Sequence, residues 1–132
     1  MPLPRRDLSS PTEWLLRARS SLAQARAGRL SPDLLYEDLC FSAQQAIEKA
    51  IKGVLVHLRV SFPKTHDIAK LLTLVDRSGL KVPDNVLEAQ FMTEYAVETR
   101  YPGVSEEVVE EEYRQALACA EIVVAWAHSI LS

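Results

Sequence analysis

Phe41-Ser42-Ala43-Gln44-Gln45-Ala46-Ile47-Glu48-Lys49-Ala50-Ile51-Lys52 is the stretch that decides the fold. Around it, Leu35, Leu39, Ala43, Ala46, Ala50 and Val54 recur at helical spacing, and Ile47, Ile51, Leu55 and Leu58 form a second stripe beside the first. The pattern predicts one long helix, roughly residues 32 to 58 with Ser31-Pro32 as its start signal. Two adjacent stripes make a wide apolar face, which implies contact on more than one side. Gln44, Glu48 and Lys52 are expected on the polar stripe opposite, with Glu48 and Lys52 at the favourable i,i+4 spacing.

Helix punctuation is legible on both sides of this segment. Ser10-Pro11-Thr12-Glu13 reads as a capping box for a first helix carrying Trp14, Ala18, Leu22 and Ala25, with Gly28 as its stop. Phe62-Pro63 forces an extended link. Thr65 is the expected cap of a third helix that carries Ile68, Leu71, Leu72 and Val75 and ends near Gly79. Pro83-Asp84 starts a fourth, with Val86, Leu87, Phe91 and Tyr95, stopping before Pro102-Gly103. Ser105 is the expected cap of a fifth, along which Val109, Tyr113, Ala116, Ala120, Val123, Ala127 and Leu131 recur. No segment alternates with period two. The expected class is all-α: an up-and-down antiparallel bundle of about five helices, two of them long, filling residues 1–132 as a single domain.

Composition narrows the function classes. No apolar run reaches the ~20 residues of a membrane span, and Met1 to Ser10 contain no apolar leader core, so a cytoplasmic protein is expected. Cys40 and Cys119 are far apart, lack a CxxC neighbour and lie in apolar helical patterns, which reads as two reduced core thiols. No metal ligand set and no cofactor is expected. Residues 1–66 carry ten Lys/Arg against six Asp/Glu, and residues 67–132 carry five against twelve. Such a split either steers an anionic ligand or pairs opposite surfaces. Glu106, Glu107, Glu110, Glu111 and Glu112 read as a solvated face that complements a helix N-terminus.

Three blocks carry a family resemblance. They are the quoted Phe41–Lys52 stretch, then Phe62-Pro63-Lys64-Thr65-His66-Asp67-Ile68 with Leu71-Leu72, then Tyr95 with Thr99-Arg100-Tyr101-Pro102. In this order they resemble the HEPN family, the higher eukaryotes and prokaryotes nucleotide-binding domain. The resemblance implies a helical bundle, usually a homodimer, often encoded beside a minimal nucleotidyltransferase. Some such pairs are toxin–antitoxin systems. Other family members bind nucleotides or RNA, and many are metal-independent ribonucleases with an Arg-x(4–6)-His motif at the dimer interface.

Residues 49 to 66 hold Lys49, Lys52, His57, Arg59, Lys64 and His66 and no acid. A helix start behind Lys64 and His66 would favour a phosphate through its amides and dipole. Lys64, His66, Arg100 and Tyr101 are therefore the candidate ligand contacts, Tyr101 offering a ring beside a bound base. The bland alternative is a solvated basic rim with a helix cap. Arg59 and His66, with six residues between them, fit the ribonuclease spacing and are the catalytic candidates: arginine for the phosphate charge, histidine to deprotonate a ribose hydroxyl. In the family's ribonucleases the motif sits on a later helix, whereas here it straddles a loop, and Arg100 has no histidine at that distance. Three functions stay open: a nucleotide- or nucleic-acid-binding module working with a nucleotidyltransferase, a ribonuclease toxin, and a non-catalytic interaction module.

Overall fold

The computed structural model of the chain describes residues 9–92 and 107–132. Those residues form five α-helices: α1 (Pro11–Arg26), α2 (Tyr36–His57), α3 (Ile68–Arg77), α4 (Asp84–Leu87), which runs on into a 3-10 turn (Glu88–Met92), and α5 (Glu110–Leu131). No strand occurs among the described residues. The all-α bundle expected from periodicity is what forms. Its two long helices, α2 and α5, have 22 residues each, a length of about 33 Å at 1.5 Å per residue.

Helix α2 lies at the centre, packed by α1, α5 and α3. That position explains why both of its apolar stripes are needed. Ala43, Ala46, Ile47, Ala50, Ile51, Val54 and Leu55 are all fully buried. Ala18, Leu22 and Ala25 cover them from α1, and Ala116, Ala120, Val123 and Ala127 from α5. Alanines at the contact positions let the helix axes approach closely. Gly53 serves the same end, because a Cβ there would stand 3.0 Å from the Trp14 Cβ. The wide face is thus consumed within one chain, and Ala50 and Val54 are not available to a partner.

One expectation fails here. Gln44 and Glu48, placed on a solvated stripe by their spacing, are 0 % and 2 % exposed. A helix packed by three neighbours keeps only a narrow, partly exposed strip along its middle, here Ser42, Gln45, Lys49 and Lys52, so the stripe of Gln44 and Glu48 is covered.

The helix starts also shift. At the head of α1, Ser10 Oγ accepts from the Glu13 amide at 3.4 Å, as expected. Helix α2 begins at Tyr36, because Ser31 and Pro32 belong to a turn in which Ser31 Oγ accepts the Asp33 amide and its carbonyl accepts the Leu34 amide. Thr65 caps no helix. Its Oγ1 accepts the Asp67 amide at 3.0 Å, and Asp67 then caps α3 by accepting the Lys70 amide at 3.2 Å. Of the expected fourth helix, the described residues show α4 and its 3-10 continuation as far as Met92, and the remainder lies outside them. Tyr95, Arg100, Tyr101, Pro102 and Ser105, all singled out in the sequence, lie outside the described residues. Cys40 is in the core and Cys119 is half-buried at its edge. Arg26 Nε meets Glu121 Oε1 at 3.0 Å, so part of the charge asymmetry between the halves pairs inside the chain.

Candidate functional site

The link from α2 to α3 is the segment that carries the candidate residues, and its path is set by four local devices. The first is the end of α2. The Arg59 amide donates to Val56 O at 3.0 Å and the Val60 amide to Leu55 O at 2.9 Å. This is a Schellman motif, which requires a left-handed residue where Arg59 stands. Arg59 accordingly has φ 59°, in a region that suits glycine and strains other side chains.

The second device is aromatic. Phe62 meets Trp14 edge-on, with ring centroids 6.2 Å apart and planes at 73°. The Lys52 ammonium sits 5.9 Å from both ring centroids, a cation–π arrangement worth about 0.5–1 kcal/mol per exposed contact. This corner pins the middle of the link to the start of α1. Third, Pro63 keeps the chain extended behind Phe62. Fourth, the Thr65 and Asp67 hydrogen bonds fix the turn into α3.

Between those anchors His66 turns back onto α2. Its Nδ1 stands 3.0 Å from Glu48 Oε2 and 3.2 Å from Glu48 Oε1. The two side chains differ sharply in exposure, 68 % for His66 and 3 % for Glu48. Lys52 Nζ lies 3.8 Å from Glu48 Oε2. The buried carboxylate thus has two cationic or hydrogen-bonding neighbours, as a buried charge requires.

Of the residues predicted as a site, Arg59, Lys64 and His66 are all exposed along this one segment. His66 pairs with Glu48 and not with Arg59. Asp67 puts a carboxylate at the α3 N-terminus and occupies the Lys70 amide. A phosphate here would therefore be held by side chains and not by the helix end. Arg100 and Tyr101 lie outside the described residues. Among those described, no group of three His, Cys, Asp or Glu gathers as for a metal ion, and no helix is long and apolar enough to cross a membrane. His128 is taken by Arg19, whose Nη2 lies 2.6 Å from its Nδ1.

Glu48 is the residue that sequence reasoning missed. Its spacing to Lys52 reads as a surface ion pair. The signal that points elsewhere is its setting between Ile47 and Ile51, where the two apolar stripes of the helix flank it.

The family described as HEPN domain matches residues 12–130. The chain belongs to the HEPN family. Solved structures agree with the assignment. The archaeal HEPN homologue ST0689 is similar at 26% identity and a TM-score of 0.72, over 93% of this chain and 98% of that one. The protein TT1696 from Thermus thermophilus is similar at 29% identity and a TM-score of 0.72, over 90% and 96% of the two chains. None of the curated proteins matches. Membership of the HEPN family supports a nucleotide- or RNA-related module. In this HEPN domain the second quoted block spans the end of the α2–α3 link, which presents Lys64 and His66, and the start of α3.

Proposed function

We propose that this HEPN domain is a nucleotide- or nucleic-acid-binding module, that it acts as a homodimer, and that it works with a minimal nucleotidyltransferase in a toxin–antitoxin-like pair. The observation that carries the ligand site is the exposed, basic 59–66 segment, whose imidazole is held by a buried carboxylate. In this reading Lys64 and Arg59 supply charge to a phosphate, and His66 contacts the nucleoside end. Guanidinium and ammonium groups are the side chains best suited to phosphate oxygens. The family resemblance supports the dimer and the nucleotidyltransferase partner.

Calorimetric titration with ATP and with a short single-stranded RNA tests the site. Binding that weakens in Lys64→Ala and in His66→Ala supports it. Binding of equal strength in all three proteins places the ligand elsewhere.

The ribonuclease reading draws on one specific observation, an imidazole oriented by a carboxylate, which is how a general base is commonly held. It requires RNA cleavage that persists in chelator and disappears in His66→Ala. An intact RNA after prolonged incubation with the wild-type protein leaves the binding module.

A further inference from the structure

We propose that Glu48 is a positioning residue that locks His66 in the Nδ1–H tautomer, so that the exposed Nε2 presents a lone pair to a ribose hydroxyl of the ligand. The ligand class is then a ribonucleoside phosphate or RNA, and the inference rests on the binding site proposed above for its second half.

The geometry fixes the first half. A carboxylate offers acceptors only, whereas a protonated carboxyl would aim a single O–H at the ring from one oxygen. Here both Glu48 oxygens face the same nitrogen, at 3.0 and 3.2 Å. One N–H shared between two acceptors has this form, so Nδ1 carries the hydrogen. Glu48 is held in place from beneath: it is 2 % exposed, on the central helix. Lys52 flanks it at 3.8 Å and is itself held against Trp14 and Phe62. The carboxylate therefore cannot swing away to follow a rotating ring.

With Nδ1–H engaged, the neutral ring has one remaining polar atom, Nε2, and that atom is an acceptor. A phosphate oxygen offers it no hydrogen. Among the groups of a nucleotide, the ribose hydroxyls are flexible donors that can meet a lone pair at the protein surface. Lys64 and Arg59, nearby in sequence and exposed, suit the phosphate end. The segment thus divides into cationic groups for the phosphate and one oriented acceptor for the sugar.

The first test needs no ligand. Long-range proton–nitrogen spectra at about pH 8.5, well above the usual imidazole value, report which ring nitrogen of His66 bears the hydrogen. The expected wild-type pattern is protonated Nδ1 with bare Nε2, moving towards the opposite tautomer in Glu48→Gln. A wild-type His66 with its hydrogen on Nε2 overturns the proposal, whatever happens to the variant's stability. The second test compares ATP with 2′,3′-dideoxy-ATP by calorimetry. Wild type is expected to bind ATP about tenfold more tightly, the scale of one hydrogen bond, with the ratio falling towards one in Glu48→Gln and His66→Ala. Equal affinities in the wild type overturn the hydroxyl assignment alone. A protein that binds neither nucleotide overturns that assignment and the proposed function together, while the spectra still decide the role of Glu48.

Discussion

The Tyr113 hydroxyl donates to the Ala25 carbonyl at 2.6 Å, tying the first turn of α5 to the last turn of α1. Tyr113 also stacks on Tyr36 at the start of α2, with ring centroids 5.6 Å apart. One side chain therefore joins the ends of three helices. Tyr113→Phe keeps the ring and removes the bond, and is expected to lower stability by about 1 kcal/mol, measured by urea denaturation at pH 7. Burial first, then the neighbouring Cys40, Tyr36 and Glu121, pushes the phenol above its ordinary value. A folded state that holds this proton more tightly than the unfolded chain is favoured below about pH 10 and loses that advantage as pH rises further. The wild type should weaken above that pH more steeply than Tyr113→Phe.

Arg59 separates a backbone requirement from a side-chain role. Its left-handed conformation costs roughly 1 kcal/mol, which glycine would not incur. Arg59→Gly is expected to raise the denaturation midpoint while weakening ATP binding. A loss of stability instead would show that the Arg59 side chain packs against the link.

Gln44 is fully buried, and neither its Oε1 nor its Nε2 has a hydrogen-bond partner. An unsatisfied buried amide costs about 1–3 kcal/mol. Gln44→Met, close in shape and apolar, should therefore raise the melting temperature. An unchanged or lower melting temperature would mean that the amide is satisfied in the assembled protein.

Cys119 sits half-buried on α5, and burial, followed by the Glu88 carboxylate, pushes its thiol up to about 11. The thiolate is the reactive form. Iodoacetamide at pH 8 should leave the native protein almost unlabelled over minutes, and labelling should rise steeply towards pH 10. The buried Cys40 should react only after unfolding. Mass spectrometry of the intact protein and its peptides distinguishes the two.

The bundle was legible because helix formation is local. Periodic Leu, Ile and Ala on α2 and α5, the Ser10 cap and the breaks at Gly28, Pro63 and Gly79 are all written in short windows of sequence. Helix starts were less so, since Thr65 and Asp67 are both competent caps and only the path of the link selects Asp67. The exposed Arg59, Lys64 and His66 could be named from their basic, acid-free neighbourhood. Their arrangement could not.

Residue order alone sufficed for the helix pattern, the wide apolar face of the Leu35–Leu58 stretch and the HEPN resemblance, since each depends on residues close together in the chain. The fate of Glu48 was settled by packing. Its burial depends on the other helices covering α2. Its pairing with His66, 18 positions further along the chain, depends on a loop that the Trp14–Phe62 corner folds back. Local spacing could place Glu48 one turn from Lys52, but whether water or a neighbouring element covered that face was a property of the packed whole.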